Sequence, residues 1–368
     1  MLVNPSTIII GGGVAGLYSA IGLDEWDGNY ILLEGKNEIG WSERTTGGLA
    51  KFWLDNYNIQ LPVDVIATTI KSVEIIGKNF TTYKLSYDDT IGYVIKPIEF
   101  VKHLSKKIKG QVKLGERVYG YREMSDNMIK VVTDKNTYIA KHIINASGPY
   151  GVGVKYPSKS DMIIGYERGI KYKDTENTIR IFFNELAPMG YLWDFDGGGE
   201  TRRIGLGFPM DIPMNPKANL LSFMHMQNID GEIVHEFSHP IPVAYPLDSV
   251  VEGNVAFVGD AGRFVFSSTG GGLQGAMLSG FNAGLSLRHG NFATYLLWYY
   301  NFRKYLVRHY KIKRLLYSFS LDEIDDLLYT LKDYKPRTLN PIIELSRVVR
   351  YLMVRKPKII YKAMNTLI

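Results

Sequence analysis

A chain of 368 residues and 41.7 kDa is long for one small domain and short for three, and 45% apolar with 22% charged residues excludes a wholly disordered polymer. With no cysteine and seven histidines that form no HExxH, it has no disulfide framework, thiolate metal site, iron–sulfur cluster or Cys nucleophile, and no metal site is expected. Of the formal charge of +6, residues 341–368 supply +5, through Arg347, Arg350, Arg355, Lys356, Lys358 and Lys362 against Glu344, so the body is nearly neutral and nucleic acid is not an expected partner.

In chain order, Thr7-Ile8-Ile9-Ile10 is a β-branched run of the kind buried in a parallel sheet. It leads into Gly11-Gly12-Gly13-Val14-Ala15-Gly16, then Leu17, Ala20, Ile21 and Leu23 at helical spacing. Glycines break the apolar stretch 7–23, Asp24 and Glu25 follow it, and no basic region precedes it, so no targeting segment is expected. After a turn at Asp27-Gly28-Asn29, a second strand over 30–33 ends on Glu34. Each part has a mechanical purpose. Gly11 permits the tight turn, Gly13 lets the backbone approach a pyrophosphate, and Gly16 lets the helix pack close to the strand. The helix N-terminus offers unpaired N–H groups and a positive dipole end to phosphate. Glu34, 23 residues after the first glycine, suits the hydroxyls of the adenosine ribose. An acid there repels a 2′-phosphate, which disfavours NADP and leaves FAD and NAD.

Segments 70–76, 81–86, 178–184, 190–195 and 203–208 alternate like an antiparallel sheet. On the fourth, Tyr191, Trp193 and Phe195 share one face, which reads equally as the lining of an apolar pocket or as ordinary sheet core. Farther on, residues 254–258 read as a buried strand ending in Gly259-Asp260. Then come Ser267-Ser268-Thr269-Gly270-Gly271-Gly272-Leu273 and a helix of small residues through Ala276, Ser279, Gly280, Ala283 and Gly284. An acid at a strand end holds ribityl hydroxyls, and the N–H groups of a Gly-rich turn opening a helix stabilise negative charge on a reduced flavin ring. Paired with the opening turn, these segments point to FAD. Residues 291–340 look helical, with Tyr295, Trp298, Tyr299 and Phe302 reading as core rather than as a cage. In the basic tail, Val348, Val349, Leu352 and Val354 separate the charges, a pattern that suits an anionic membrane surface or, equally, the protein's own flank.

The pairing of Gly11–Gly16 and Glu34 with Gly259-Asp260 and Gly270-Gly271-Gly272-Leu273 resembles the two-segment FAD site of the p-hydroxybenzoate hydroxylase superfamily. Within it, the chain is similar to the geranylgeranyl reductases, including the archaeal enzymes that saturate isoprenoid chains of lipids. Gly190-Tyr191-Leu192-Trp193-Asp194-Phe195 and the strand through Arg203-Ile204-Gly205-Leu206-Gly207 resemble their Tyr-x-Trp-x-Phe-Pro segment. The helix entry at Thr269–Gly272 and the stretch Ser320-Leu321-Asp322-Glu323-Ile324-Asp325 match in the same way, so the likeness runs from about residue 7 to 333. It implies FAD contacts at Ala15, Glu34, Thr45, Thr46, Gly48, Asp260, Gly272 and Leu273, beside Gly11, Gly13, Gly16 and Gly271 of the two turns, and a substrate pocket at Tyr191, Trp193 and Phe195. Departures are Thr45-Thr46 where the family often has Cys-Ala, Asn145-Ala146-Ser147-Gly148 for the usual Ala-Asp-Gly, and Pro97, preceded by Lys96, where an Arg usually opens a helix.

The implied fold is α/β: a Rossmann-like FAD-binding domain interleaved with a mostly antiparallel β-sheet substrate domain, and a helical C-terminal part. The expected bounds are 1–50, 91–155 and 250–290 for the first, 51–90 and 156–249 for the second, and 291–368 for the third. The implied activity is FAD-dependent reduction of double bonds in a polyprenyl (geranylgeranyl) chain of a lipid or quinone. Its partners would be a hydrophobic isoprenoid substrate, an external electron donor and, through the basic tail, a peripheral membrane contact on the cytoplasmic side. An FAD-dependent monooxygenase and a non-catalytic prenyl-binding protein are the alternatives. No residue in the sequence identifies a proton donor.

Overall fold

The structure, a computed structural model, describes residues 5–26, 28–40, 43–172, 176–336, 341–358 and 361–362; Asp27 of the expected turn lies outside them. The chain divides into two compact units. One comprises Met1–Glu43, Pro97–Met162 and Ile241–Tyr310, the other Arg44–Lys96, Ile163–Pro240 and Lys311–Ile368.

The first unit is built on a six-stranded sheet in the order Val251–Glu252, Val255–Phe257, His142–Asn145, Thr7–Ile10, Tyr30–Glu34, Gln111–Leu114. All its pairings are parallel except that of Val251–Glu252 with Val255–Phe257. Parallel strands covered on both faces carry continuous apolar runs, and Ile8, Ile9 and Ile10 are accordingly buried. Ile8, Ile10, Ile31 and Leu33 pack with Ile129 and Val131 of the antiparallel three-stranded meander Val118–Glu123, Ile129–Thr133, Thr137–Ala140. The helices Val14–Asp24 and Leu273–Ser286 lie backbone to backbone: a Cβ added at Gly280 would stand 2.2 Å from the Ala15 carbonyl oxygen, and one at Gly284 2.1 Å from that of Ser19. That approach explains the small residues of the second helix. Tyr295, Tyr299 and Phe302 of the helix Ala293–Ser318 are buried in core, as their helical spacing suggests, and the Tyr295 hydroxyl donates to the Phe257 carbonyl at 2.7 Å.

The second unit holds a seven-stranded sheet in the order Ile233–Pro242, Met162–Lys171, Thr201–Pro209, Tyr191–Gly198, Thr178–Phe182, Ser72–Ile76, Thr82–Ser86. Thr178–Phe182 pairs in parallel with Ser72–Ile76, while the other registered pairs are antiparallel. The expected strand over 70–76 is two strands. Ile66–Ile70 belongs with Gly92–Ile95 and Gly48–Ala50 in a separate three-stranded sheet, and the chain changes sheets at Lys71. Met162–Lys171 and Ile233–Pro242 lie outside the alternating segments picked out in the sequence. The first carries Glu167-Arg168 inside an apolar run, and the second mixes His235, Glu236 and His239 into its alternation. Leu220 and Phe223 of the helix Pro216–Met226 pack on Leu192, Ile204, Leu206 and Phe208 of the large sheet.

The helix Leu321–Leu331 opens with a capping box in which Ser320 and Glu323 satisfy each other's backbone N–H groups. Its Ile324 and Leu328 pack on Tyr83. The basic tail begins with the helix Pro341–Arg355. Lys356 pairs with Asp326 at 2.6 Å, Lys362 with Glu323 at 2.7 Å, and the Arg355 guanidinium lies over the Tyr351 ring. These three cations are thus engaged by the unit's own side chains. Among the described residues no helix is long and apolar enough to cross a membrane.

Candidate functional site

The opening glycine turn is shaped by contacts that side chains would break. Gly11 has φ +103° and its missing Cβ would lie 2.5 Å from the Ala146 carbonyl oxygen; a Cβ at Gly16 would lie 1.9 Å from that of Gly11. The Asn145-Ala146-Ser147-Gly148 departure therefore supplies backbone that the turn packs on. Its buried Asn145 carboxamide closes the loop by donating to the Val152 carbonyl at 2.7 Å and accepting from the Ser147 hydroxyl at 2.5 Å. Gly13 differs: nothing lies within 4 Å of its Cβ position. It is the N-cap of the Val14–Asp24 helix, and no side chain caps the first helical N–H groups there. Glu34 sits beside the turn, its carboxylate accepting from Gly12 N–H at 2.7 Å and Lys36 N–H at 2.8 Å. Those bonds hold the carboxylate in place and leave it acceptor capacity for ribose hydroxyls.

The late segment arrives at the same sheet edge. Val255–Phe257 runs parallel to His142–Asn145, which runs parallel to Thr7–Ile10, so Gly259-Asp260 and Gly11 follow, and Glu34 forms, the carboxyl ends of strands in one sheet. Open α/β sheets bind their ligands at that edge. Gly259 (φ +57°) approaches the first helix so closely that its Cβ would stand 2.8 Å from that of Ala15, and its N–H donates to the Ser279 hydroxyl at 2.9 Å. Asp260 borders the second turn: a Cβ at Gly272 would lie 3.3 Å from its Oδ1. Gly272 caps the Leu273–Ser286 helix without a side-chain hydrogen bond, and the buried Gln274 Oε1 at that helix start has no hydrogen-bond partner among the described residues. Two helix N-termini without side-chain caps, two acids and an open glycine on one edge fit a dinucleotide with a flavin end.

His309 steadies the second turn: its Nδ1 is 2.7 Å from the Ser268 hydroxyl and its ring stacks on Phe266. Burial pushes its imidazole down to about 4, and that of His142 likewise to about 4. Both fall below the ordinary 6.5, so the unfolded chain binds more protons between those values. Stability is therefore complete above about pH 6.5 and declines as the pH drops toward 4. The urea midpoint is expected to fall between pH 7 and pH 5, and His309→Gln to shrink that fall.

Thr45, Thr46 and Gly48 belong to the second unit, and there they meet the residues expected around a substrate. Trp193 Nε1 donates to Glu167 Oε2 at 3.0 Å, and Thr46 Oγ1 donates to the same oxygen at 2.5 Å. A Cβ at Gly48 would lie 3.0 Å from the Phe195 ring. Tyr191 and Trp193 meet edge to face, Trp193 is 8% exposed, and its ring covers Gly205, where a Cβ would stand 2.3 Å away. Burial pushes the Tyr191 phenol up to about 12, so it stays protonated. Two stretches expected to serve cofactor and substrate separately thus share one carboxylate. Lys96 turns elsewhere: its Nζ donates to the Asp64 carbonyl at 3.2 Å.

Glu167, His235 and the guanidinium of Arg203 are the residues that sequence reasoning missed as site groups. Glu167 is wholly buried, with His235 Nε2 at 3.2 Å and Arg203 Nη1 at 3.5 Å from its Oε1. Arg203 also donates to the Thr45 and Thr46 carbonyls, each at 3.1 Å. The available signal was two adjacent charges, Glu167-Arg168, inside an apolar run, because charges enter a core only when paired, and the structure pairs Glu167 with Arg203 and Arg168 with Glu236.

No family model matches the chain. It is 23% identical to digeranylgeranylglycerophospholipid reductase 2 of Methanosphaera stadtmanae, across 92% of this chain and 95% of that protein. A geranylgeranyl bacteriochlorophyll reductase-like protein from Thermoplasma acidophilum superposes with a TM-score of 0.86 at 20% identity, covering 99% of each chain. HpxO of Klebsiella pneumoniae, complexed with FAD and uric acid, has a TM-score of 0.69 at 13% identity over 94% of this chain and 96% of that one.

Proposed function

We propose that the chain, similar to reductases of geranylgeranyl chains, is a member of the geranylgeranyl reductase family of FAD-dependent oxidoreductases, binds FAD and saturates double bonds in the polyprenyl chains of a membrane lipid. The observation that carries the cofactor is the convergence of Glu34 and Asp260 on one edge of one parallel sheet. Glu34 would hold the adenosine ribose, and Gly11, Gly13 and Gly16 would shape the pyrophosphate cradle at the N-terminus of the helix that carries Ala15. Asp260 would hold the ribityl chain, with the N–H groups of Gly271, Gly272 and Leu273 toward the ring. When bound, reduced flavin supplies a hydride. The name of the Methanosphaera relative supports a glycerophospholipid rather than a quinone as the molecule that bears the chain.

An isolated alkene carries almost no charge for a protein to grip, so orientation and exclusion of water must do most of the protein's share. Tyr191, Trp193 and Phe195, on one face of a strand, offer the rigid apolar wall that this requires. The cofactor assignment is tested by titrating FAD into the stripped protein and following flavin fluorescence. Losing hydrogen bonds to a charged acceptor costs about 1.5–3 kcal/mol, so Glu34→Ala is expected to weaken FAD by roughly 10- to 150-fold, and Asp260→Ala by a similar factor. Unchanged affinity in both variants would refute the site.

A further inference from the structure

The helix Pro341–Arg355 is anchored to its own unit by one side. Leu352 is buried, the Tyr351 ring meets that of Tyr334 edge to face at 5.0 Å, and the Tyr351 hydroxyl donates to the Thr330 carbonyl at 3.4 Å. Just past the helix, Asp326 and Glu323 of the supporting helix Leu321–Leu331 hold Lys356 and Lys362. At about 3.6 residues per turn, Arg350, Met353 and Val354 fall on the side opposite Tyr351 and Leu352, with Arg347 at its border. All four are exposed, Val354 by 80%. Beyond the helix, Lys358 is exposed and Tyr361 is 68% exposed. Apolar residues scattered singly on a surface are ordinary, but here Met353, Val354 and Tyr361 stand among Arg347, Arg350 and Lys358. Acids of the supporting helix do not cancel that charge, since Asp322, Glu323 and Asp326 are matched by Lys78, Lys362 and Lys356.

We propose that this outer face docks on an anionic lipid bilayer, with the helix lying in the plane of the headgroups. Arg347, Arg350 and Lys358 meet lipid phosphates, and Met353, Val354 and Tyr361 reach the acyl boundary. Charge complementarity favours lipid over a second protein. The core of a protein–protein interface is depleted in charge, whereas the boundary between headgroups and acyl chains accepts cations beside apolar and tyrosyl side chains. The inward face, held by Tyr351, Leu352, Lys356 and Lys362, fixes which side of the helix is left to meet the lipid. Such docking needs neither flavin nor turnover, so it stands or falls apart from the reductase reading.

The test is flotation of the full-length protein with phosphatidylglycerol vesicles, and with phosphatidylcholine vesicles as the zwitterionic comparison. Binding to the first is expected to be at least ~10-fold tighter than to the second, and to weaken as added salt screens the charges. A basic residue at an anionic surface contributes about a factor of five, so Arg347→Gln/Arg350→Gln should weaken binding roughly 30-fold. Lys106→Gln/Lys107→Gln removes the same charge from an exposed turn of the first unit and should leave binding unchanged. Met353→Ser/Val354→Ser keeps the charge and is expected to weaken binding by about 10-fold or more, because two apolar side chains no longer leave water. Three results would each overturn the docking surface: no flotation with phosphatidylglycerol vesicles at low salt, a Lys106→Gln/Lys107→Gln protein that loses as much as Arg347→Gln/Arg350→Gln, or a Met353→Ser/Val354→Ser protein that binds like wild type.

Discussion

Glu167→Ala is expected to destabilise the protein by about 3–5 kcal/mol, the cost of stranding one partner of a buried ion pair. The arithmetic follows from what remains. Arg203, 5% exposed, would keep its two backbone carbonyl partners but lose the Glu167 carboxylate, and the Trp193 indole N–H and the Thr46 hydroxyl would lose their acceptor. Glu167→Gln retains an acceptor for one of those donors and should lose less. Urea denaturation with an unchanged m-value measures the difference. A loss below about 1 kcal/mol, the range of exposed pairs, would mean that water reaches the cluster.

A second large effect is expected at Gly16, where the ordinary sign of a substitution reverses. In an exposed helix, Gly→Ala stabilises by up to about 1 kcal/mol. At Gly16 the added carbon would sit 1.9 Å from the Gly11 carbonyl oxygen, a contact with backbone that no rotamer relieves. Gly16→Ala should therefore destabilise by at least ~3 kcal/mol, the upper end of overpacking, and open the turn that approaches the cofactor. Gly13→Ala is the control with the opposite signature. Its Cβ meets nothing within 4 Å and its φ of −76° suits any residue, so the fold should tolerate it. FAD affinity should nevertheless fall, because the methyl group occupies the space meant for pyrophosphate. Paired thermal melts and flavin titrations separate the two: Gly16→Ala loses both stability and flavin, Gly13→Ala flavin alone.

Legibility in the sequence followed contact distance along the chain. The opening strand, turn, helix and Glu34 lie within 28 residues, and each answers a local demand: β-branched burial, glycine at a crowded turn, an acid at a strand end. The late segment was legible as a second such turn, and the small residues of its helix foretold the backbone contact with Ala15 and Ser19. The cluster around Glu167 was not legible. Thr46 lies 121 positions from the carboxylate it binds, and no local pattern brings them together. The strand that carries Glu167 was overlooked because its charges interrupt the alternation that marks a strand. A similar lesson attaches to Lys71, where an unbroken β-rich stretch conceals a change of sheet that only pairing partners reveal.

The most direct measurement is the mass of the lipid product. Digeranylgeranylglycerophospholipid incubated anaerobically with the purified, FAD-loaded protein and dithionite should gain two hydrogens for each double bond reduced, and the bleached flavin should regain its colour as lipid is added. A lipid of unchanged mass beside a flavin that stays bleached, or a product that has gained oxygen once air and NADPH are supplied, would contradict the account.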